Sequence, residues 1–200
     1  MDLEKSKYAA AYQSEIERQF TPQEAALIWD QARSGYQKLL AAYPGLPPKV
    51  AAHTDRVIFP AVAVYRALRE SCPERAMEIM ELGMAQRAAR VGKTYARLVS
   101  LPGMKGVFLK IFSKGAKSGF GKQSGFGQEF LTDSSRELAF NITKCPYWDF
   151  CTALGCPELT HVFCKSDEYA YGSLPGIRFI RTQTLGTGGA LCDFRLEREG

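Results

Sequence analysis

Apolar residues in the first half of the chain recur three and four positions apart, as they do on one face of a helix. The run TPQE at positions 21–24 predicts a helix start, because Thr21 can act as N-cap and Glu24 can close a capping box. The helical pattern continues to Tyr43, and Pro44-Gly45 ends it. The sequence therefore predicts one long amphipathic helix here.

Two further helices are predicted in the same half. A helix from about Val50 to Glu70 is apolar on nearly every side, so we expect it to be central, with a kink or restart at Pro60. A second capping box, Ser71-Cys72-Pro73-Glu74, is predicted to open a long helix that runs to about Val99. Pro102-Gly103 then breaks this helix and ends the helical half of the chain.

The next segment, residues 104–128, is basic and rich in glycine. Apolar residues between Val107 and Phe112 form a short stripe flanked by lysines, and a glycine-rich stretch from Gly119 to Gly127 follows. Backbone N–H groups of such a stretch can cradle oxyanions, but the Walker spacing and a preceding strand are missing. We therefore expect 104–128 to be a lid or a surface loop.

The spacing of apolar residues changes to alternation in the last third of the chain, which is typical of strands. Short helices are predicted where proline opens a segment and glycine ends it. The run GTGG at 186–189 joins the last two strands into a hairpin. In chain order, the predicted elements are a strand at Arg136–Thr143, helices at Cys145–Gly155 and Pro157–Gly172, and strands at Ile177–Leu185 and Ala190–Glu197.

Together these elements predict an α+β fold in a single domain, residues 1–200. An N-terminal helical layer, residues 1–103, packs on a small antiparallel sheet formed by the C-terminal half. The basic segment 104–128 connects the helical layer to the strand–helix–hairpin half, residues 129–200.

The hairpin register places polar groups on the sheet face that we expect to be the core. With Leu185 opposite Ala190, one face carries Arg181, Gln183 and Cys192 among apolar side chains. An isolated buried charge is costly, so a buried guanidinium must be paired or must face a ligand. The predicted burial of Arg181 therefore indicates an ion pair or a ligand-binding site on this face.

A second group of chemically active residues lies on the predicted helix at 157–172. His161, Cys164 and either Asp167 or Glu168 fall within reach of one helix face. An imidazole, a thiol and a carboxylate could make an activated nucleophile, or they could supply three ligands of a divalent metal. Spacing alone does not separate these alternatives.

The charge is unevenly distributed along the chain. The net charge is +5, yet residues 82–128 contain nine basic residues and no acidic one, which leaves 17 basic and 21 acidic residues elsewhere, a net of −4. A solvated lysine face is the simplest interpretation of the basic segment, and an anionic ligand or a membrane surface are the alternatives. No nucleic-acid-binding signature accompanies the lysines, so we expect no nucleic-acid partner.

Six cysteines are too few for a disulfide scaffold, and five of them lie in the last 56 residues, a cysteine-rich C-terminal half. We expect free thiols in a reducing compartment, with Cys151 and Cys156 in the core. The N-terminal residues lack the apolar segment of a secretory signal, and no apolar run is long enough to span a bilayer. The expected location is the cytoplasm, without stable membrane insertion.

Several short motifs lie in the last 60 residues: Cys145-Pro146-Tyr147, Cys164-x-x-Asp167, Gly176-x-x-Phe179-x-Arg181-Thr182-x-Thr184-Leu185-Gly186 and Cys192-Asp193-Phe194. Together they resemble the L-2-amino-thiazoline-4-carboxylic acid hydrolase family. The family is named for a reaction that opens a thiazoline ring to give N-carbamoyl-L-cysteine on a bacterial route to L-cysteine. The resemblance implies a hydrolase acting on a cyclic amidine or a related C–N bond of a small carboxylate. A non-catalytic small-ligand-binding or sensor domain is the alternative.

Ring opening needs a cation that fixes the substrate carboxylate, and a base that takes the proton of water. Arg181 is the predicted carboxylate clamp, and Asp167 with His161 the predicted base. Covalent catalysis and metal-assisted catalysis by a divalent metal both stay open, as does a homodimer. The predicted nucleophile or metal ligand is Cys164 or Cys192, and the other predicted substrate contacts are Gln183 and Asn141.

Overall fold

The computed structural model describes residues 2–6 and 8–199, so Met1, Lys7 and Gly200 lie outside it. The sheet is antiparallel with strand order β1–β2–β4–β3, which confirms the predicted α+β fold. The helices are α1 (Ala9–Gln19), α2 (Pro22–Ala42), α3 (Pro48–His53), α4 (Phe59–Ser71), α5 (Ala76–Val99), α6 (Met104–Gly119), α7 (Pro146–Ala153) and α8 (Thr160–Tyr171). The strands are β1 (Gly127–Asp133), β2 (Glu137–Lys144), β3 (Ile177–Ile180) and β4 (Cys192–Arg198).

The first capping box is confirmed and the second is wrong. At the start of α2, the Thr21 side chain accepts a hydrogen bond from the Glu24 backbone N–H, and the Glu24 carboxylate accepts one from the Thr21 N–H at 2.9 Å. Ser71 is instead the last residue of α4, so it cannot take the extended conformation of an N-cap. Helix α5 begins only at Ala76, after a turn held by the Cys72 carbonyl.

The predicted restart at Pro60 is confirmed. Helix α3 passes into a π-helical turn, Thr54–Ile58, and α4 begins directly after it with Pro60 in its first turn. Proline has no N–H to donate and is tolerated in the first turn of a helix. Helix α4 is buried along most of its length, as expected of a central helix. No helix in the described part of the chain is long and apolar enough to cross a membrane.

The prediction of a loop over 104–128 is wrong for most of that segment, because α6 occupies its first sixteen residues. The side chains of Phe108 and Leu109 are buried against the sheet, and this burial fixes the helix. After a short turn at Lys122–Ser124, strand β1 begins at Gly127, which we did not predict. Whether the segment acts as a lid stays a prediction.

The predicted hairpin register is confirmed where the strands pair. Ile180 pairs with Arg195, and this pairing belongs to the same register that places Leu185 opposite Ala190. Strand β3 nevertheless ends five residues earlier than predicted. The carboxylate of Asp193 accepts the next backbone N–H groups, those of Thr182 at 2.9 Å and Gln183 at 2.8 Å. The chain after Ile180 therefore bonds to a side chain of β4 and not to its backbone.

Two apolar clusters form the core, one among the N-terminal helices together with α7 and α8, and one between the sheet and α6. In the second, the Phe140 and Phe194 rings stack across neighbouring strands with centroids 4.8 Å apart, and Phe112 of α6 stacks on Phe194 at 5.6 Å. Helix α8 lies between the two halves, and it packs on α5 at Gly92. Residues of α8 are thus placed at the junction of the helical layer and the sheet.

Close packing of α5 on α8 predicts that Gly92→Ala destabilises the protein. A Cβ atom there would lie 2.8 Å from the carbonyl oxygen of Tyr169 and 3.0 Å from that of Ala170, so the two helices would have to separate. We expect a loss of about 1–3 kcal/mol in the free energy of unfolding, measured in urea. The matched control is Gly115→Ala in α6, where a Cβ meets nothing within 4 Å and stability should rise by about 0.5–1 kcal/mol. Equal effects of both substitutions would contradict this account.

Candidate active site

The Arg181 guanidinium is buried and fully engaged with α8. Only 5% of its side chain is exposed, and Nη1 donates to the Asp167 carboxylate at 2.8 Å. Its Nη2 donates to the Cys164 carbonyl oxygen and to the Glu168 carboxylate, each at 2.9 Å. The cation also lies 5.5 Å from the centre of the Phe179 ring. The predicted buried cation is therefore paired, and it joins α8 to the chain that follows β3.

Four of the predicted site residues line one cleft beside this ion pair. The cleft has a volume of about 120 Å³ and is partly open to solvent. Its other lining residues are mostly polar, which suits a small polar ligand. The predicted residues are His161, Cys164, Arg181 and Gln183, and the others are Lys165, Glu168, Thr182, Thr184 and Thr187.

Asp167 is not among the residues that line this cleft, but it is bonded to Arg181, which does line it. Burial raises the pKa of the Asp167 carboxyl to about 6, although the neighbouring Arg181 opposes the shift. The pKa values of Tyr8 and Tyr171 are raised as well, mainly by burial and further by the negative charge of Asp167. A carboxyl group with this pKa can either accept or donate a proton close to neutral pH.

Burial also raises the pKa of the thiols near the cleft, and for a thiol this shift moves the pKa further from neutral pH. It raises the pKa of Cys145 to about 12 and that of Cys192 to about 11, and it also raises the pKa of Cys164. The Leu185 N–H donates to the Cys192 sulfur at 3.3 Å, a contact that favours the thiolate but does not offset the burial. All three cysteines are therefore protonated at neutral pH and are poor nucleophiles in this environment.

The structure does not bring His161 and Asp167 together as the predicted general base, because His161 lies beside Glu81. The His161 Nε2 atom lies 3.9 Å from the Glu81 carboxylate on α5, and Glu81 also accepts from Lys165 at 3.0 Å. Within residues 2–6 and 8–199, no group of three or more His, Cys, Asp or Glu side chains is placed to hold a metal ion. The arrangement of His161, Cys164 and Asp167 as three metal ligands therefore has no geometric support.

Asn141 is not part of the cleft. It pairs with Asp193 across β2 and β4, while its neighbour Ile142 pairs with Cys192. Because side chains alternate along a strand, Asn141 lies on the sheet face opposite to Cys192 and Arg181. The other predicted substrate contact, Gln183, does line the cleft, and its side-chain oxygen accepts from the Ala190 N–H at 3.1 Å.

Cys145 and Tyr147 belong to the same region, although we did not predict them as site residues. Both lie in electrostatic range of the α8 residues, Cys145 of Cys164 and Tyr147 of Asp167. The Tyr147 hydroxyl is 3.0 Å from His53 Nδ1, and His53 Nε2 is 2.8 Å from the Gly119 carbonyl oxygen. Since a carbonyl only accepts, His53 Nε2 carries a proton and donates it to Gly119, while Nδ1 is hydrogen-bonded to the Tyr147 hydroxyl.

The sequence did contain a signal for these residues, because both lie in the motif Cys145-Pro146-Tyr147. Its proline opens α7 directly after β2, so the motif residues come to the junction of sheet and helices. The other two cysteines of this half, Cys151 and Cys156, are 0% and 1% exposed, which confirms their predicted place in the core.

The raised pKa of Asp167 predicts a pH dependence of stability. Between about pH 4 and pH 6, the folded protein retains a proton that the unfolded chain has released. The free energy of unfolding should therefore fall as pH rises through this range and level off above it. The slope is at most about 1.4 kcal/mol per pH unit, and smaller here because solvent reaches about a third of the side chain.

The Asp167 contribution is isolated by subtracting the unfolding free energies of Asp167→Asn from those of the wild type, measured in urea from pH 4 to pH 8. The difference should decline up to about pH 6. The matched control is Asp30→Asn at an exposed aspartate of α2, which should show no such decline. A difference that increases with pH would contradict the raised pKa.

Comparison with known proteins adds an independent result. A family model for L-2-amino-thiazoline-4-carboxylic acid hydrolase matches residues 51–196. No curated protein matches the chain. The matched region runs from α3 to β4 and includes all seven predicted site residues. Because it spans nearly three quarters of the chain, the protein belongs to the L-2-amino-thiazoline-4-carboxylic acid hydrolase family.

Proposed function

We propose that the protein is a hydrolase that opens a cyclic amidine of a small carboxylate, of the 2-aminothiazoline-4-carboxylate type. The observation that carries this proposal is the Asp167 carboxyl, held against Arg181 beside a polar cleft, with a pKa of about 6. Family membership supports the substrate class. The cleft residues and the carboxyl together supply the cation, the polar contacts and the base that the reaction needs.

The reaction adds one water molecule to the amidine carbon between nitrogen and sulfur. A base takes one proton of the water as its oxygen bonds to that carbon, and the electron pair of the C=N bond moves to the nitrogen, which takes a proton. The added hydroxyl of the resulting tetrahedral species then loses its proton as its C=O bond forms and the C–S bond breaks. The departing sulfur takes a proton, so that the product carries a free thiol and a carbamoyl group. Asp167 is the proposed base, since it is ionised above about pH 6 and can return its proton to the leaving sulfur.

Arg181 is the proposed clamp for the substrate carboxylate. The Asp167 side chain is 36% exposed and does not line the cleft, whereas the Glu168 side chain is 58% exposed and does line it. A substrate carboxylate in the cleft can therefore replace Glu168 on Nη2 while Asp167 stays on Nη1. The exchange substitutes one charge-assisted hydrogen bond for another, and it fixes the substrate beside the base.

A water route is better supported than a covalent one. A nucleophilic cysteine requires a thiolate, and burial raises the pKa of Cys164 and Cys192 above the ordinary thiol value. Cys164 is then a packing group of the cleft wall, and Cys192, which does not line the cleft, accepts the Leu185 N–H. All six cysteines are free, which agrees with a reducing compartment as the place of action.

Incubation of the pure protein with 2-aminothiazoline-4-carboxylate should release one free thiol per substrate, measured with a thiol reagent. We expect kcat/KM to rise about tenfold per pH unit up to pH 6 and then to level off, as Asp167 ionises. Asp167→Asn should lower kcat by about 10²–10⁴-fold. The matched variants Cys164→Ser and Cys192→Ser should keep activity within tenfold.

Two results would contradict this proposal. Ligand binding without any thiol release, even at high protein concentration, would favour the non-catalytic binding domain. Loss of activity in Cys192→Ser with the fold retained would favour the covalent route.

If a substrate carboxylate replaces Glu168 on Arg181, the variant Glu168→Gln should bind the substrate more tightly than the wild type. The substitution removes the charge that competes for Nη2, so KM should fall about twofold to fivefold with kcat nearly unchanged, as expected from the loss of one exposed ion pair. The control is Glu74→Gln, an exposed glutamate in the turn before α5, which removes the same charge elsewhere. A higher KM in Glu168→Gln would mean that Glu168 contacts the substrate directly.

A further inference from the structure

Helix α6 is apolar on two sides, and only one of them faces the core. Phe108 and Leu109 are 3% and 0% exposed and belong to the cluster under the sheet. Val107 and Ile111, one turn apart on the outer side, are 43% and 60% exposed. If α6 opened as a lid, Phe108 and Leu109 would be exposed to water, which is unfavourable. Lid movement therefore does not explain the exposed apolar side chains on the outer side of the helix.

Exposed apolar side chains concentrate in the segment of the chain that contains this helix. Among the described residues, six large hydrophobic side chains are exposed, and Leu27 on α2 is the one that lies outside the stretch 101–131. Scattered exposed apolar residues are ordinary, but a concentration marks an interaction surface. The five others are Leu101, Val107, Ile111, Phe120 and Leu131.

A basic recess lies along the same helix. It has a volume of about 640 Å³, is open to solvent, and lies between α6 and the turn after β1. Lys117 is paired with Asp133, whereas Lys110 and Lys114 make no ion pair within residues 2–6 and 8–199. The residues that line it are Lys110, Ser113, Lys114, Lys117, Ser118, Asp133 and Ser134.

We propose that this outer side of α6 docks on an anionic lipid surface. Lys110, Lys114 and the Ser118 hydroxyl would bind phosphate headgroups, and Val107 and Ile111 would enter the boundary between headgroups and acyl chains. Charge complementarity is favourable because residues 82–128 contain no acidic residue. The association is peripheral, since it uses one face of a helix whose other face stays packed in the protein.

The surface suits a lipid better than a nucleic acid. Nucleic-acid surfaces combine arginine with aromatic rings that stack on bases, and the recess is lined by neither. Aliphatic side chains such as Val107 and Ile111 gain little from a phosphate backbone, but they leave water when they enter a lipid interface. An anionic lipid surface can therefore bind both the lysines of the recess and the exposed aliphatic side chains beside it.

Sedimentation with vesicles tests this proposal. The full-length protein should bind vesicles that contain phosphatidylglycerol, should not bind pure phosphatidylcholine vesicles, and should be released as salt increases. The double variant Lys110→Gln/Lys114→Gln should lower the partition constant about 25-fold, at about fivefold per lysine. Ile111→Ser should lower it about tenfold through lost apolar contact.

Matched controls remove the same groups elsewhere. Lys38→Gln/Lys49→Gln takes two exposed lysines from the helical half, and Leu27→Ser takes the exposed leucine of α2. Both should bind vesicles like the wild type, and circular dichroism should show all variants folded. These assays do not involve the hydrolytic reaction, so their outcome is independent of the proposed function.

Three outcomes would overturn the proposal. The first is no binding to anionic vesicles, and the second is an equal loss in the two lysine double variants, which would mean attraction without a defined surface. The third is tight binding of an oligonucleotide, or of free glycerol phosphate, that is lost in Lys110→Gln/Lys114→Gln while vesicle binding is unchanged. Either ligand would then be the true occupant of the recess.

Discussion

The ion pair between Arg181 and Asp167 joins the chain after β3 to helix α8, and the candidate site is arranged around it. A guanidinium that is 5% exposed needs acceptors for its N–H groups, and α8 supplies them: two carboxylates and the Cys164 carbonyl oxygen. This requirement fixes the position of α8 relative to the sheet. The cleft exists because the two elements meet through polar groups at this point and not through close apolar packing.

The same desolvation has different chemical consequences for the groups around that pair. Removal from water favours the neutral form of every acid, so it brings the pKa of Asp167 up to about 6, close to neutral pH. It moves the pKa of Cys192 away from neutrality, to about 11. A single physical effect thus makes the carboxyl group suitable for proton transfer and the thiol unsuitable as a nucleophile, which is why we assign the base to α8.

Local patterns predicted much of this fold. The capping box of α2 and the hairpin register follow from residues close together in sequence, and the register alone is enough to place Arg181 on the inner face of the sheet. The place of Asn141 could not be predicted, because it depends on the pairing of β2 with β4, two strands about fifty residues apart. Strand β1 was missed for a local reason: register shifts interrupt its period of two.

Helix α6 shows why a basic, glycine-rich sequence is ambiguous. Its apolar stripe contains residues for two surfaces, and only the tertiary structure assigns Phe108 to the core and Ile111 to solvent. The end of this helix also reaches the site region. The Gly119 carbonyl accepts a hydrogen bond from His53, and the other ring nitrogen of His53 is hydrogen-bonded to the Tyr147 hydroxyl. Tyr147 lies in electrostatic range of Asp167. Two hydrogen bonds therefore connect the end of α6 through His53 to Tyr147, although α6 lines no part of the cleft.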